Sequence, residues 1–176
     1  MRRHKLTDML RGGDRRSIGK SNQIARLVLS DAKRFGELLQ CLWDEDPIVR
    51  MRAADAAEKV TVKRPELLQP HKQELLGLLV ESEQIELRWH LALMLPRLTL
   101  SGPERQRAAA VLQRYLGDRS SIVRTFALQG MAHLAQQDPS LRERVKQTLE
   151  ESLQTGTAAM KARARKLLKR FNFDSV

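Results

Sequence analysis

The sequence of 176 residues predicts an all-α protein made of about four stacked helix-turn-helix repeats, with a further helix at the N-terminal end. Two observations predict this fold. The composition favours helix, because Ala, Leu, Arg, Glu, Gln and Lys dominate and aromatic residues amount to only 4%. A sequence pattern also recurs at spacings of 38, 36 and 37 residues, and internal repeats of this length are typical of helical arrays.

Each repeat is anchored by an apolar residue followed by a basic one. Apolar residues or glycine stand four, seven, eight and eleven positions after the anchor, which places them on one face of a helix. One repeat cannot bury such a stripe alone, so the repeats are expected to stack. The stripes are Val49, Ala53, Ala56, Ala57 and Val60; Leu87, Leu91, Met94, Leu95 and Leu98; Val123, Ala127, Gly130, Met131 and Leu134; Met160, Ala164, Leu167, Leu168 and Phe171.

A second apolar pattern precedes every anchor and predicts the first helix of each pair. Short polar turns, DED, ESEQ, GDRSS and QTGT, separate the two helices. Pro47 suits the first turn of the second helix, and Pro96 is expected to kink the second helix of its repeat. The residues eleven and seven positions before the anchors are Leu38 and Leu42, Leu76 and Val80, Leu112 and Leu116, and Leu149 and Leu153.

The second helices resemble those of HEAT repeats. DPIVRMRAADAAEKV resembles the second-helix signature of that family, and SSIVRTFALQGMAHLA is a further match. IELRWHLALMLPRL lacks the turn Asp and Pro, and TAAMKARARKLLKRF replaces Arg with Lys. The resemblance covers about residues 33–171. It implies a right-handed α-solenoid whose second helices line a concave face.

This interpretation divides the chain into a basic segment and one domain. Residues 1–20 are expected to be partly ordered at best, and residues 21–31 to form a helix that caps the stack. The single HEAT-repeat domain is predicted to span residues 21–176, with units at about 33–64, 65–101, 102–137 and 138–173.

The charge of the chain is concentrated at its two ends. The formal net charge is +11, which favours anionic partners. Residues 1–20 carry seven Lys or Arg and two Asp, and residues 157–173 carry six Lys or Arg and no acidic residue. No apolar run is long enough for a membrane span. The single cysteine, Cys41, excludes an intrachain disulfide, and a cytoplasmic location is expected.

Motifs for catalysis or cofactor binding are weak. GDRRSIGKS resembles the end of a phosphate-binding loop, but Asp14 stands where the motif needs glycine. The histidines lack metal-ligand spacing, and Cys41 is interpreted as a packed thiol. Some HEAT-like proteins are DNA glycosylases that use Trp, Asp and Arg, for which Trp43, Trp89 and Asp55 are the candidates here. No motif matches residue by residue, so we predict no enzyme, no cofactor and no metal.

Two sets of columns on the second helices are candidates for charged function. The basic anchors, Arg50, Arg88, Arg124 and Lys161, are interpreted as a structural ladder that bonds to turn acids or carbonyls. Position two after the anchor points almost opposite the apolar stripe, and positions three and ten flank position two on one side. These three columns predict a groove with a basic flank; the alternatives are that some of these side chains contact the next repeat or that the face is only solvated. The predicted groove contains Met51, Arg52, Lys59, Trp89, His90, Arg97, Phe126, His133, Arg163 and Arg170.

The expected function is that of a non-enzymatic interaction module or adaptor. Exposed Trp, Met and Arg side chains are typical anchors at protein interfaces, and the basic flank of the groove favours an acidic or extended protein partner. Nucleic-acid binding through phosphate contacts is the alternative. The scarcity of aromatic residues argues against readout of single strands by stacking.

Overall fold

A computed structural model describes residues 5–14 and 16–173 of the chain. Within these residues the regular structure is helical, and the prediction of an all-α fold is confirmed. No helix in this part of the chain is both long enough and apolar enough to cross a bilayer. The chain divides between Lys72 and Gln73 into two compact units, called unit 1 and unit 2. The division does not coincide with the predicted boundary between residues 20 and 21.

Unit 1 contains one helix pair and the segment that precedes it. Helix α4 is the long second helix of the pair, and both α1 and α2 pack against it. Three short 3-10 helices, Ala32–Arg34, Cys41–Trp43 and Pro65–His71, connect or extend the α-helices. The α-helices are α1 (Leu6–Leu10), α2 (Ser21–Ser30), α3 (Phe35–Gln40) and α4 (Pro47–Lys63).

Unit 2 contains three helix pairs. In each pair the second helix carries the apolar stripe, and α8 packs against both α6 and α10. The pairs are α5 (Lys72–Glu81) with α6 (Ile85–Met94), α7 (Gly102–Tyr115) with α8 (Ser121–Gln137), and α9 (Arg142–Thr155) with α10 (Ala158–Phe171). Pro96 does not kink a continuing helix as expected, since α6 ends at Met94 and a 3-10 turn, Leu95–Arg97, contains the proline.

Local sequence explains where several helices begin. The Asp46 carboxylate accepts a hydrogen bond from the Ile48 amide at 2.8 Å, and Pro47 occupies the first turn of α4. Ser101 and Glu104 form a capping box at the start of α7, and the Thr157 hydroxyl caps α10. Each cap satisfies amide groups that the first helical turn leaves without partners.

The predicted apolar stripe forms the core of both units. Its residues are buried, apart from Leu168 and Phe171 near the end of α10, which are half-buried. The apolar pattern on the first helices predicts burial less accurately. Val80 is 57% exposed, because α5 has a nearly continuous apolar run and buries Leu75, Leu78 and Leu79 instead.

Helix α1 of the predicted N-terminal segment packs within unit 1, whereas residues 11–14 and 16–20 are exposed. Leu6 and Leu10 of α1 are fully buried. The Leu6 amide donates to a Glu37 carboxylate oxygen of α3 at 2.7 Å. The rest of the predicted N-terminal segment, residues 1–4 and Arg15, lies outside the described residues.

Candidate functional site

The predicted groove has members in both units, so each part is described separately. In unit 1 the face of α4 that carries Arg52 is covered. The Arg52 side chain is only 3% exposed. Its guanidinium donates hydrogen bonds to the carbonyl oxygens of Leu10 at 2.7 Å, Gly12 at 2.5 Å, Ser17 at 3.1 Å and Asp14 at 3.2 Å. Arg52 therefore organises the chain between α1 and α2 instead of facing a partner.

The N-terminal loop (residues 11–20, of which Arg15 is not described) is shaped to fit this guanidinium. Gly13 and Gly19 have φ angles of 78° and 51°, in the left-handed region that favours glycine. A Cβ atom on Gly19 would lie 2.8 Å from the central guanidinium carbon of Arg52. The loop therefore needs glycine where the backbone passes closest to Arg52.

The other two groove residues of unit 1 are also engaged internally. Met51 is only 8% exposed. The Lys59 ammonium donates to an Asp55 carboxylate oxygen at 2.5 Å and to the Asn22 side-chain oxygen at 2.7 Å. The expectation that Met51 and Arg52 form an exposed binding surface is wrong. The cause is that α1, the N-terminal loop and α2 fold back over α4. A helical wheel of α4 alone cannot show this covering.

In unit 2 the predicted columns come together across three consecutive second helices. The Trp89 and Phe126 rings stack with centroids 5.3 Å apart. The Arg163 guanidinium lies 5.1 Å from the centroid of the Phe126 ring and also donates to the side-chain oxygen of Gln129. The row Trp89, Phe126 and Arg163 thus connects α6, α8 and α10. His90 is buried rather than part of this surface, with its Nδ1 2.6 Å from the Glu86 carbonyl oxygen of its own helix.

A second row places His133 among positive charges. Its ring makes an edge contact with Phe171 at a centroid distance of 5.1 Å, and the Arg170 guanidinium lies 5.2 Å from the centroid of the same ring. Burial lowers the pKa of His133, and the positive charges of Arg170, Arg97 and Arg163 lower it further, although the Gln129 carbonyl raises it. The pKa of His133 therefore depends on the positive charges at this surface.

Beside these rows lies an open cleft of about 500 Å³, called the basic cleft. No carboxylate lines it. The cleft is lined by Gln129, Arg163, Lys166, Leu167, Lys169 and Arg170. Its residues on α10 recur at helical spacings of three, four and seven, so they share a face of the helix. Such an arrangement attracts anions.

The sequence columns identified Arg163 and Arg170 but not the other residues of the basic cleft. Lys166 and Lys169 belong to columns in which the other repeats carry no basic residue. A different signal could have found them, because residues 157–173 contain six basic residues and no acidic one. The last helix pair therefore differs from the other pairs in its surface charge.

Two of the four anchor residues, Arg50 and Arg88, make contacts of the kind expected for a structural ladder, whereas the Nε of Arg124 is buried without a hydrogen-bond partner among the described residues. Arg50 donates to the carbonyl oxygens of Asp44 at 2.7 Å and Glu45 at 3.0 Å. Arg88 donates to the Ser82 carbonyl at 2.7 Å and to the Asp118 carboxylate at 2.6 Å, and so joins two successive helix pairs. Arg124 and Lys161, the other predicted members, are half-buried.

The residues of the remaining candidate sites have the following surroundings in the part of the chain that the structure describes. Ser21 is the last residue of the sequence that resembles a phosphate-binding loop. It is buried, and its hydroxyl donates a hydrogen bond to the Asp55 carboxylate. Burial raises the pKa of the Cys41 thiol, opposite to what a nucleophile needs. Residues 5–14 and 16–173 contain no cluster of three or more His, Cys, Asp or Glu suited to a metal ion.

Comparison with known proteins identifies a similar fold. No protein-family model matches the chain, and a search of curated proteins finds no match. A crystal structure of an engineered protein, from a structural genomics consortium, resembles this chain with a TM-score of 0.65 and 17% sequence identity. The similarity covers 95% of this chain and 78% of that chain. Similarity at this level of identity shows the fold alone, since one fold serves many functions.

Proposed function

We propose that the chain is a HEAT-like helical repeat protein of the cytoplasm that binds an acidic protein segment through the basic cleft. The observation that carries this proposal is the set of four Lys and Arg side chains that line one cleft with no carboxylate among the lining residues. The cleft would attract carboxylates and supply hydrogen-bond donors to them.

Two features support the repeat interpretation. Four helix pairs follow the sequence period, with one pair in unit 1 and three in unit 2. Within unit 2, Arg88 of one pair reaches Asp118 in the turn of the next pair. Contacts between neighbouring repeats of this kind are what hold an array together.

The aromatic row favours a protein partner over a nucleic acid. Trp89 and Phe126 already stack on each other, and Arg163 covers Phe126, so these rings do not form an open platform for bases. Single-strand binding proteins combine a basic groove with aromatic side chains on which bases stack. An acidic segment needs only the basic cleft and a neighbouring apolar surface.

A binding titration with charge-matched variants tests this function. The probes are a labelled peptide rich in Glu and Leu and a labelled single-stranded oligonucleotide, each titrated with the full chain at low and moderate salt. We expect the peptide to bind and the double variant Lys166→Glu, Lys169→Glu to lose about tenfold or more in affinity. The matched control is Arg107→Glu, Arg144→Glu, which makes the same charge change at exposed positions on α7 and α9.

The outcomes separate the alternatives. If the control variant loses as much affinity as the cleft variant, net charge rather than the cleft drives binding. If the peptide does not bind and the oligonucleotide binds with a steep salt dependence, the nucleic-acid alternative replaces the proposal. Absence of binding by both probes at low salt also rejects the proposal.

A further inference from the structure

Each of the two arginines of the basic cleft lies against an aromatic ring. Arg163 lies 5.1 Å from the centroid of Phe126, and Arg170 lies 5.2 Å from the centroid of Phe171. Stacking on a ring restrains the plane of a guanidinium while its N–H edges stay available for acceptors. Arg163 also donates a hydrogen bond to Gln129, whose side-chain amide is neutral.

Two lysines bring the cleft to four positive charges. Lys166 and Lys169 line the same space as Arg163 and Arg170. Among residues 5–14 and 16–173, none of these four side chains forms an ion pair with an acidic residue. This concentration of charge exceeds what a single carboxylate can neutralise. An anion with more than one charge and several acceptor oxygens fits it better.

We propose that the basic cleft binds a phosphorylated side chain within the acidic protein segment. This inference rests on the proposed function and specifies its ligand. A phosphate monoester carries close to two negative charges near neutral pH and presents three acceptor oxygens. Two restrained guanidinium groups can each engage such oxygens in pairs, whereas an ammonium group acts as a point charge. The cleft of about 500 Å³ has room for the phosphate and the adjoining peptide.

The aromatic side chains beside Arg163 provide a second surface that the ligand could contact. The half-exposed Trp89 extends the row away from the cleft. A peptide that places its phosphate against Arg163 would bring a neighbouring residue toward Trp89, since Phe126 is covered by Trp89 and Arg163. An apolar residue near the phosphorylated one is therefore part of the expected ligand.

His133 supplies a reporter that is independent of affinity. Its pKa is lowered by burial and by the charges of Arg170, Arg97 and Arg163. A bound dianion would offset those charges, so the pKa of His133 should rise when the ligand binds. A ligand bound elsewhere on the protein would leave this titration unchanged.

The experiment compares three peptides that differ at one position, in an otherwise identical Glu- and Leu-containing sequence. That position is phosphoserine, glutamate or serine, and the full chain is titrated against each labelled peptide by fluorescence anisotropy. We expect the phosphoserine peptide to bind at least about tenfold more tightly than the serine peptide, with glutamate between them. The pKa of His133, measured by NMR, should rise with the phosphoserine peptide.

Variants locate the site. Arg163→Gln and Arg170→Gln together should reduce affinity for the phosphoserine peptide to that of the serine peptide, and inorganic phosphate should compete with wild type. Arg144→Gln, at an exposed position on α9, is the control and should bind like wild type. Circular dichroism and thermal unfolding of each variant check that the fold is retained.

Several results would overturn the inference. Equal binding of the glutamate and phosphoserine peptides would reject phosphate recognition and leave the proposed function standing. Failure of all three peptides to bind would reject the proposed function itself. A phosphate preference that persists in the Arg163→Gln, Arg170→Gln variant would place recognition outside the cleft. Tighter binding of a single-stranded oligonucleotide, dependent on the same arginines, would assign the cleft to nucleic acid.

Discussion

Arg52 in unit 1 and Arg163 in unit 2 stand three residues after the anchors of their repeats, yet their surroundings differ. Arg52 is buried and bonds to four backbone carbonyl oxygens. Arg163 lines an open cleft and contacts one amide and one ring. The comparison shows that equivalent positions on two second helices have different surroundings, because the elements packed over each position decide whether its side chain is buried or lines an open cleft.

Removing the two arginines provides the largest test of this difference. We expect Arg52→Ala to lower the free energy of unfolding by about 3 kcal/mol, because four carbonyl groups, of which that of Leu10 is buried, would lose a charged donor. Arg163→Ala should cost less than about 1 kcal/mol, as is usual for a surface position. Urea denaturation of both variants measures the difference. Similar losses for the two variants would contradict the comparison.

The glycine that lets the N-terminal loop approach Arg52 gives a second test. Gly19→Ala should cost about 2 kcal/mol, since alanine adds strain at a positive φ and places a Cβ atom against the guanidinium. Gly77→Ala is the control. Gly77 lies within α5 with open space around its Cβ position, so alanine there should stabilise by about 0.5–1 kcal/mol. Thermal unfolding distinguishes the opposite signs, and a stabilising Gly19→Ala would show that the loop does not need glycine.

Among the anchor residues, Arg88 allows a test with a smaller expected effect on stability, which depends on pH. Arg88→Ala should cost about 1 kcal/mol, because it leaves the Asp118 carboxylate without its ion pair. Burial raises the pKa of Asp118, but the hydrogen bonds from the Ser120 amide and Arg88 and the charges of Arg88 and Arg119 together lower it below its usual value. A lowered native pKa stabilises the fold above the unfolded value, and this contribution is lost as pH falls through the native pKa.

Denaturation at several pH values tests that contribution. Wild type should lose stability on acidification more steeply than Arg88→Ala, because the variant has already lost part of the downward shift in the pKa of Asp118. Lys161→Ala, at the same position of the last repeat, should change stability little at any pH. A wild-type profile parallel to that of Arg88→Ala would exclude a role for this pair.

The periodic apolar stripe and the helix starts were predictable, because they depend on local spacing. Val49 and its stripe are buried as predicted, and Asp46 with Pro47 begins α4. The exposure of Val80 was not predictable from its column, since the run LLGLLV offers more than one apolar face. Arg52 was misplaced because its burial depends on chain that folds back from some 40 residues earlier.

Only part of the candidate site could be predicted, because the prediction used columns that several repeats share. Phe126, Arg163 and Arg170 lay in columns that are basic or aromatic in several repeats. Lys166 and Lys169 were missed, since they are specific to the last repeat. A search for shared columns finds what repeats have in common, and here the strongest surface feature is what distinguishes one repeat from the rest.

The contacts of Arg52 also affect how freely the N-terminal loop can vary. The guanidinium binds carbonyl oxygens, which every residue type carries, so exposed positions such as Arg11, Arg16 and Ile18 are not constrained by it. The glycines are constrained by geometry, since Gly12, Gly13 and Gly19 all have positive φ angles and the Cβ positions of Gly13 and Gly19 lie close to the guanidinium. The loop is thus a place where evolution or engineering can introduce new surface sequences, such as an epitope or a protease site, while its path over α4 is retained.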